Sequence, residues 1–208
     1  MNLNILINLT LISFSIAAII VVIVKSRMHR RKQEMLHRQF LEAEDAANSV
    51  RKKEIDPELY ITPDLSQLPS ISEDDPHKVL RTSKRPMIYF QTPKTNLELK
   101  QEYGPAQMDI LAQHEENFNE YLKALTAWAT SLADRGEDTD ALLILGYAIA
   151  HGAEFRNTYK LAADIYAKNG DKQTLEALLN TTETNFFKDP AVRRHIMEHI
   201  TKRLEEIN

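Results

Sequence analysis

The spacing of hydrophobic positions changes character along the chain, and each change predicts a different element. From Leu3 to Val24 run 22 residues without a charge, interrupted only by Asn4, Asn8, Thr10, Ser13 and Ser15. As a helix rising about 1.5 Å per residue this run is roughly 33 Å long, enough to cross a hydrocarbon core of about 30 Å. Residues 1–25 therefore predict a transmembrane anchor. A cleavable leader would carry a basic region before the run and small residues at its exit; here Ile23, Val24 and Lys25 close it, so the helix is expected to stay. Residues 26–55 lose the continuous apolar character and are rich in Gln, Glu, Met, Leu, Arg and Ala without Gly or Pro, which predicts a polar juxtamembrane helix stopped at Asp56-Pro57. Within it Leu36, Phe40, Ala43, Ala47 and Val50 follow the 4-3-4-3 spacing of a coiled-coil seam, two heptads long. Weak self-association through this seam and a solvated stalk are the two readings.

Seven of the eight prolines fall between Pro57 and Pro105, where they remove the backbone donors a helix or central strand would need. Residues 56–104 thus predict an extended, proline-rich tether. Two apolar islands interrupt it, Leu59-Tyr60-Ile61 and Met87-Ile88-Tyr89-Phe90. They read either as docking motifs or as a small strand packed on the folded domain.

From Pro105 onward the pattern is helical throughout 105–208. Met108, Leu111, Phe118, Leu122, Leu125, Ala129 and Leu132 recur at three-and-four spacing up to Gly136, one long helix or two abutting ones. A second helix follows Asp138 and ends before Gly152, a third covers 157–168 and a fourth 172–182, and Pro190 opens a last one with Val192, Ile196, Ile200, Leu204 and Ile207 on one face. No segment alternates with strand period, so the fold class is all-α.

The segments Ala133-Asp134-Arg135-Gly136-Glu137-Asp138 and Ala167-Lys168-Asn169-Gly170-Asp171-Lys172 match in character, and Gly136 and Gly170 lie 34 residues apart. With two helices per period, this resembles the tetratricopeptide repeat (TPR). Two TPR-like hairpins are placed at about 122–155 and 156–189, with a capping helix over 190–207 and the helix after Pro105 capping the other end. Leu125, Trp128, Ala129 and Leu132, then Ala141, Leu145 and Ala148, fall on the family's large and small positions, as do Tyr159, Ala162, Ala163 and Tyr166 in the second unit. Leu175 and Thr182 depart from it, and the closing proline is missing from the first unit. The match covers about 68 residues, and a plain bundle of four or five helices is the alternative. The resemblance implies a concave, peptide-holding groove lined by the first helix of each pair. By position its residues would be Lys123, Thr126 and Thr130, then Asn157, Lys160, Asp164 and Lys168. The three lysines with Asn157 would suit an acidic or C-terminal peptide of a protein partner.

Charge adds a topology. Residues 25–53 hold nine Lys and Arg against four Asp and Glu, while the rest holds 17 against 26. Lys25, Arg27, Arg30, Arg31 and Lys32 follow the apolar run directly and are expected to contact the headgroups of the lipid bilayer, each contributing about 1 kcal/mol. The positive-inside rule then places the N-terminus outside and the C-terminal domain in the cytoplasm, at the plasma membrane. The acidic remainder argues against nucleic acid as a partner.

Composition narrows the chemistry. There are no cysteines, hence no disulfides or thiolate sites, and only five glycines, too scattered to form a phosphate-cradling loop. No cofactor is expected. His195-Ile196-Met197-Glu198-His199 fits the H-x-x-E-H pattern of inverted zinc peptidases, yet only nine residues remain after His199, leaving no downstream carboxylate ligand. Neither a metal site nor an enzyme is read from the sequence. The expected function is a membrane-anchored adaptor presenting a TPR-like domain, the alternative a self-assembling stalk.

Overall fold

The protein is all-helical in this computed structural model, which describes residues 3–69 and 77–207, and side chains within them except at 3–21 and 77. The helices are α1 (Leu3–Asn48), α2 (His77–Ser83), α3 (Asn96–Tyr103), α4 (Met108–Asp134), α5 (Asp138–Ala150), α6 (Arg156–Lys168), α7 (Lys172–Thr184) and α8 (Pro190–Ile207). Among the described residues no helix is long and apolar enough to cross a membrane. The predicted span, Leu3 to Val24, lies for the most part outside the residues whose side chains are described.

The chain divides into two compact units. The first joins α1 to Thr95–Ala106, so that α3 packs on α1. Thr95 caps α3 through a reciprocal pair: its hydroxyl accepts the Glu98 amide at 3.3 Å, and the Glu98 carboxylate accepts the Thr95 amide at 2.6 Å. Lys100 donates to Glu44, and the Lys53 amide donates to the Tyr103 carbonyl at 3.0 Å. The polar helix ends at Asn48, earlier than Asp56-Pro57, because the chain must turn there to lay Val50 and Arg51 beneath Gly104. Of the predicted seam only Ala47 is fully buried, while Leu36 and Phe40 stay more than half exposed, at 55% and 54%.

The second unit holds Glu54–Lys94 and Gln107–Asn208. α4 and α5 form a hairpin turned at Gly136, α6 packs on α5 and α7, and α8 lies across α6 and α7. Leu122, Leu125 and Leu132 of α4 share one core with Ile144 and Leu145 of α5, Tyr159 and Ile165 of α6, Leu175 of α7, and Ile196 and Ile200 of α8. Each such fully buried side chain contributes roughly 1.5–3 kcal/mol. Ala129, Ala141, Ala148, Ala162 and Ala163 are buried between them and let the helix axes approach.

The proline-rich stretch departs most from its pattern. Where the sequence predicts an extended tether over 56–104, residues 96–103 form α3, and much of 54–94 is a strap packed on α4. Val79, Met87 and Ile88 are essentially inaccessible to solvent. The two apolar islands pair through one antiparallel bridge, Tyr60 to Ile88, with the Ile61 amide donating to the Met87 carbonyl at 2.9 Å. Asn117 of α4 donates from Nδ2 to the Pro86 carbonyl at 2.9 Å, and Arg85 pairs with Glu120. The prolines are tolerated because the strap satisfies its backbone in single bonds to α4 and to itself instead of in a ladder.

Candidate functional site

The first helices of the two hairpins, α4 and α6, meet over only a short stretch. At that meeting the Thr126 and Thr158 hydroxyls lie 2.7 Å apart, both buried. Thr126 already donates to the Leu122 carbonyl at 3.1 Å, so its oxygen accepts from Thr158. An open cleft of about 510 Å³ lies beside this strut, walled by α4, by the start of α6 and by Val192 of α8.

Ala127, Phe155 and Val192 supply the apolar lining of the cleft. Lys123, Thr130, Glu154, Arg156 and Asn157 supply its polar lining. Lys123 reaches Glu116 at 3.2 Å and holds its ammonium 5.7 Å from the centre of the Phe155 ring. Glu154 accepts the backbone amide of Lys188 at 2.5 Å, and the Lys188 ammonium pairs with Glu115. Arg156 is exposed and has no ionic partner among the described residues. Phe155 takes the position before α6 where a polar cap is usual, and no side chain caps that turn. Its ring is thereby left to form part of the cleft.

The structure gathers Lys123, Thr126, Thr130 and Asn157 at one cleft. Within it Thr126 is a strut and not a ligand: its hydroxyl is spent on Leu122 and Thr158. Three residues expected along the groove lie off its wall. Asp164 accepts from His199 Nε2 and Arg203 Nε, both at 2.7 Å, and so ties α6 to α8. Lys168 donates to Asp138 at 2.6 Å, tying α6 to α5. Lys160 is half-buried elsewhere on α6. Hydrogen bonds to Glu206 and Asp164 push the Arg203 guanidinium pKa up, and the same Arg203 contact holds Glu206 below its ordinary value.

The H-x-x-E-H segment does not converge. His195 Nδ1 is 3.3 Å from its own neighbour Glu198, whereas His199 turns to Asp164. On α1, Lys25, Arg27, Arg30, Arg31 and Lys32 are all exposed. At about 100° per residue they are spread around the helix as a collar. The residues that sequence reasoning missed are Ala127, Glu154, Phe155, Arg156 and Val192. An aromatic at a helix start, followed by an arginine with no acidic residue one turn on, was the available signal.

No family model, curated protein or solved structure matches the chain.

Proposed function

We propose that this chain is a single-pass, membrane-anchored adaptor that presents a TPR-like helical domain to a protein partner on the cytoplasmic side. The observation that carries the reading is the open cleft walled by alternate helices, α4, α6 and α8. Alternate helices also hold peptides in the family the sequence resembles. The apolar lining and the uncommitted guanidinium of Arg156 suit an extended acidic peptide. Anchorage would act through effective concentration, confining the cleft to the membrane surface and favouring partners already there. The exposed collar from Lys25 to Lys32 supports contact with anionic lipid. Neither a cofactor nor nucleic acid enters this reading, and no catalysis is proposed.

A second reading rests on Leu36 and Phe40, which are exposed on α1. A second copy covering them would make the chain a self-assembling stalk. One experiment separates the two: affinity capture by the full chain from detergent-solubilised membranes, read by mass spectrometry. A partner held by the parent and lost with Lys123→Glu, Arg156→Glu supports the adaptor. Capture of the chain by itself, lost with Leu36→Asp, Phe40→Asp, supports the stalk.

A further inference from the structure

The cleft does not stop at Lys123. A smaller cavity of about 200 Å³ shares Lys123, Glu154 and Phe155 with it, and Tyr89 of the strap also lines that cavity. The Tyr89 ring packs against Phe118 of α4, 5.3 Å between centroids and 46° between planes. Its hydroxyl rests on Gly152, where a Cβ would stand 2.6 Å from the oxygen. Only glycine leaves room for the ring in this place, and φ of +86° at the same position independently favours it.

Residues 86–90 of the strap are themselves an extended segment bound to α4. Their backbone is held by the Ile88 amide donating to the His114 carbonyl at 3.3 Å and by Asn117 on the Pro86 carbonyl. The cleft therefore continues an interface the molecule already makes. Charge selects what would fill it. Lys123 and Glu154 each have a partner in the fold, whereas Arg156 has none among the described residues. An incoming carboxylate would meet Arg156, and an aliphatic side chain would cover the Phe155 ring.

We propose that Tyr89 is the end wall of the peptide site: an acidic, aliphatic partner peptide packs its last residue against the Tyr89 ring, so peptide binding and strap docking stabilise each other. This rests on the adaptor reading above. Linkage requires that the factor by which a docked strap tightens the peptide equals the factor by which the peptide tightens the strap. Tyr89 is thus a specificity-determining residue contributed by the stretch whose sequence reads as a linker.

The probe is a peptide selected from a random display library on the full chain in detergent micelles. It is titrated against the parent, Tyr89→Phe, Tyr89→Ala and Arg156→Glu, while hydrogen exchange is followed at the Ile61 and Ile88 amides. The selected peptides are expected to be rich in Asp, Glu and Leu, and Arg156→Glu should abolish their binding. Tyr89→Ala should weaken binding roughly tenfold, the loss expected of one packed aromatic contact, while Tyr89→Phe stays within about twofold. Saturating peptide should slow exchange at Ile61 and Ile88 in the parent and leave it unchanged in Tyr89→Ala. If Tyr89→Ala does not fold, Gly152→Ala displaces the ring and supplies the same comparison. A peptide that needs Arg156 yet binds the ring-deleted or ring-displaced form as tightly as the parent, with exchange unchanged, would overturn the end wall and leave the adaptor standing. Enrichment of no peptide would sink both.

Discussion

The hydroxyls of Thr126 and Thr158, 2.7 Å apart and both buried, join α4 to α6 beside the open cleft. The pair is asymmetric, because Thr126 also donates to the Leu122 carbonyl while, among the described residues, Thr158 has no acceptor but Thr126 for its proton. Thr126→Val therefore strands a buried hydroxyl and should cost about 1–3 kcal/mol, whereas Thr158→Val should cost about 0.5–1.5 kcal/mol. The double variant should be less destabilised than the sum of the two. Urea unfolding followed by the fluorescence of Trp128, the chain's single tryptophan, checks all three. Equal losses in the single variants would refute the assigned donor direction.

Met87 lies in a stretch that reads as linker yet shows no exposure at all. Met87→Ala should cost roughly 2–4 kcal/mol, the usual range for emptying a core position of this size. It should also speed hydrogen exchange at Ile61, whose amide is bonded to the Met87 carbonyl at 2.9 Å. A free tether would lose nothing from the same substitution, so an unchanged unfolding midpoint would return 54–94 to the status of a linker.

The contrast between these two regions tells how far the fold was legible. Boundaries near Gly136, Gly152, Gly170 and Pro190 could be read because local stop signals coincide with interruptions of the helical spacing. The strap could not, because its bonds are distant: Asn117 meets Pro86 across 31 residues, and a single bridge at Tyr60 and Ile88 leaves no alternating pattern. The same physics divides the site. Register along α4 was enough to bring Lys123 and Thr130 to the cleft, whereas the fate of Asp164 depends on His199 and Arg203, 35 and 39 residues away. For Arg156 the sequence shows only that no acidic residue stands one turn on; that no distant carboxylate among the described residues reaches it is decided by the fold.

Gly104 sits where the first unit closes. Its φ is +79°, and a Cβ there would stand 2.8 Å from the Arg51 carbonyl oxygen and 2.9 Å from that of Val50. Neither neighbour is a flexible side chain, so the backbone itself would have to move. Gly104→Ala should destabilise the docking of α3 by about 1–3 kcal/mol. The readout is faster amide exchange across 96–103 with exchange in α5 and α6 unchanged. Uniform acceleration everywhere would mean that the two units do not unfold separately.

Asp171 caps α7, its carboxylate accepting the Thr174 amide at 3.1 Å. The hydrogen bonding to Thr174 holds the Asp171 carboxyl below its ordinary value of 3.8. A carboxyl that is more acidic in the folded state contributes stability above its unfolded value, and loses it as pH falls past that value and through the lower folded one. The cap should therefore be intact at neutral pH and fail below about pH 3.8. Asp171→Asn keeps a side-chain oxygen that accepts the same amide but cannot titrate. The difference in melting temperature between parent and variant should be small and constant from pH 7 to about 5, then shift against the parent as the carboxylate is protonated. Hydrogen exchange at Thr174 locates the effect, since protection of that amide relative to its intrinsic exchange rate should fall in acid in the parent alone. If parent and variant respond identically down to the acid limit, the cap does not carry a charge-dependent bond.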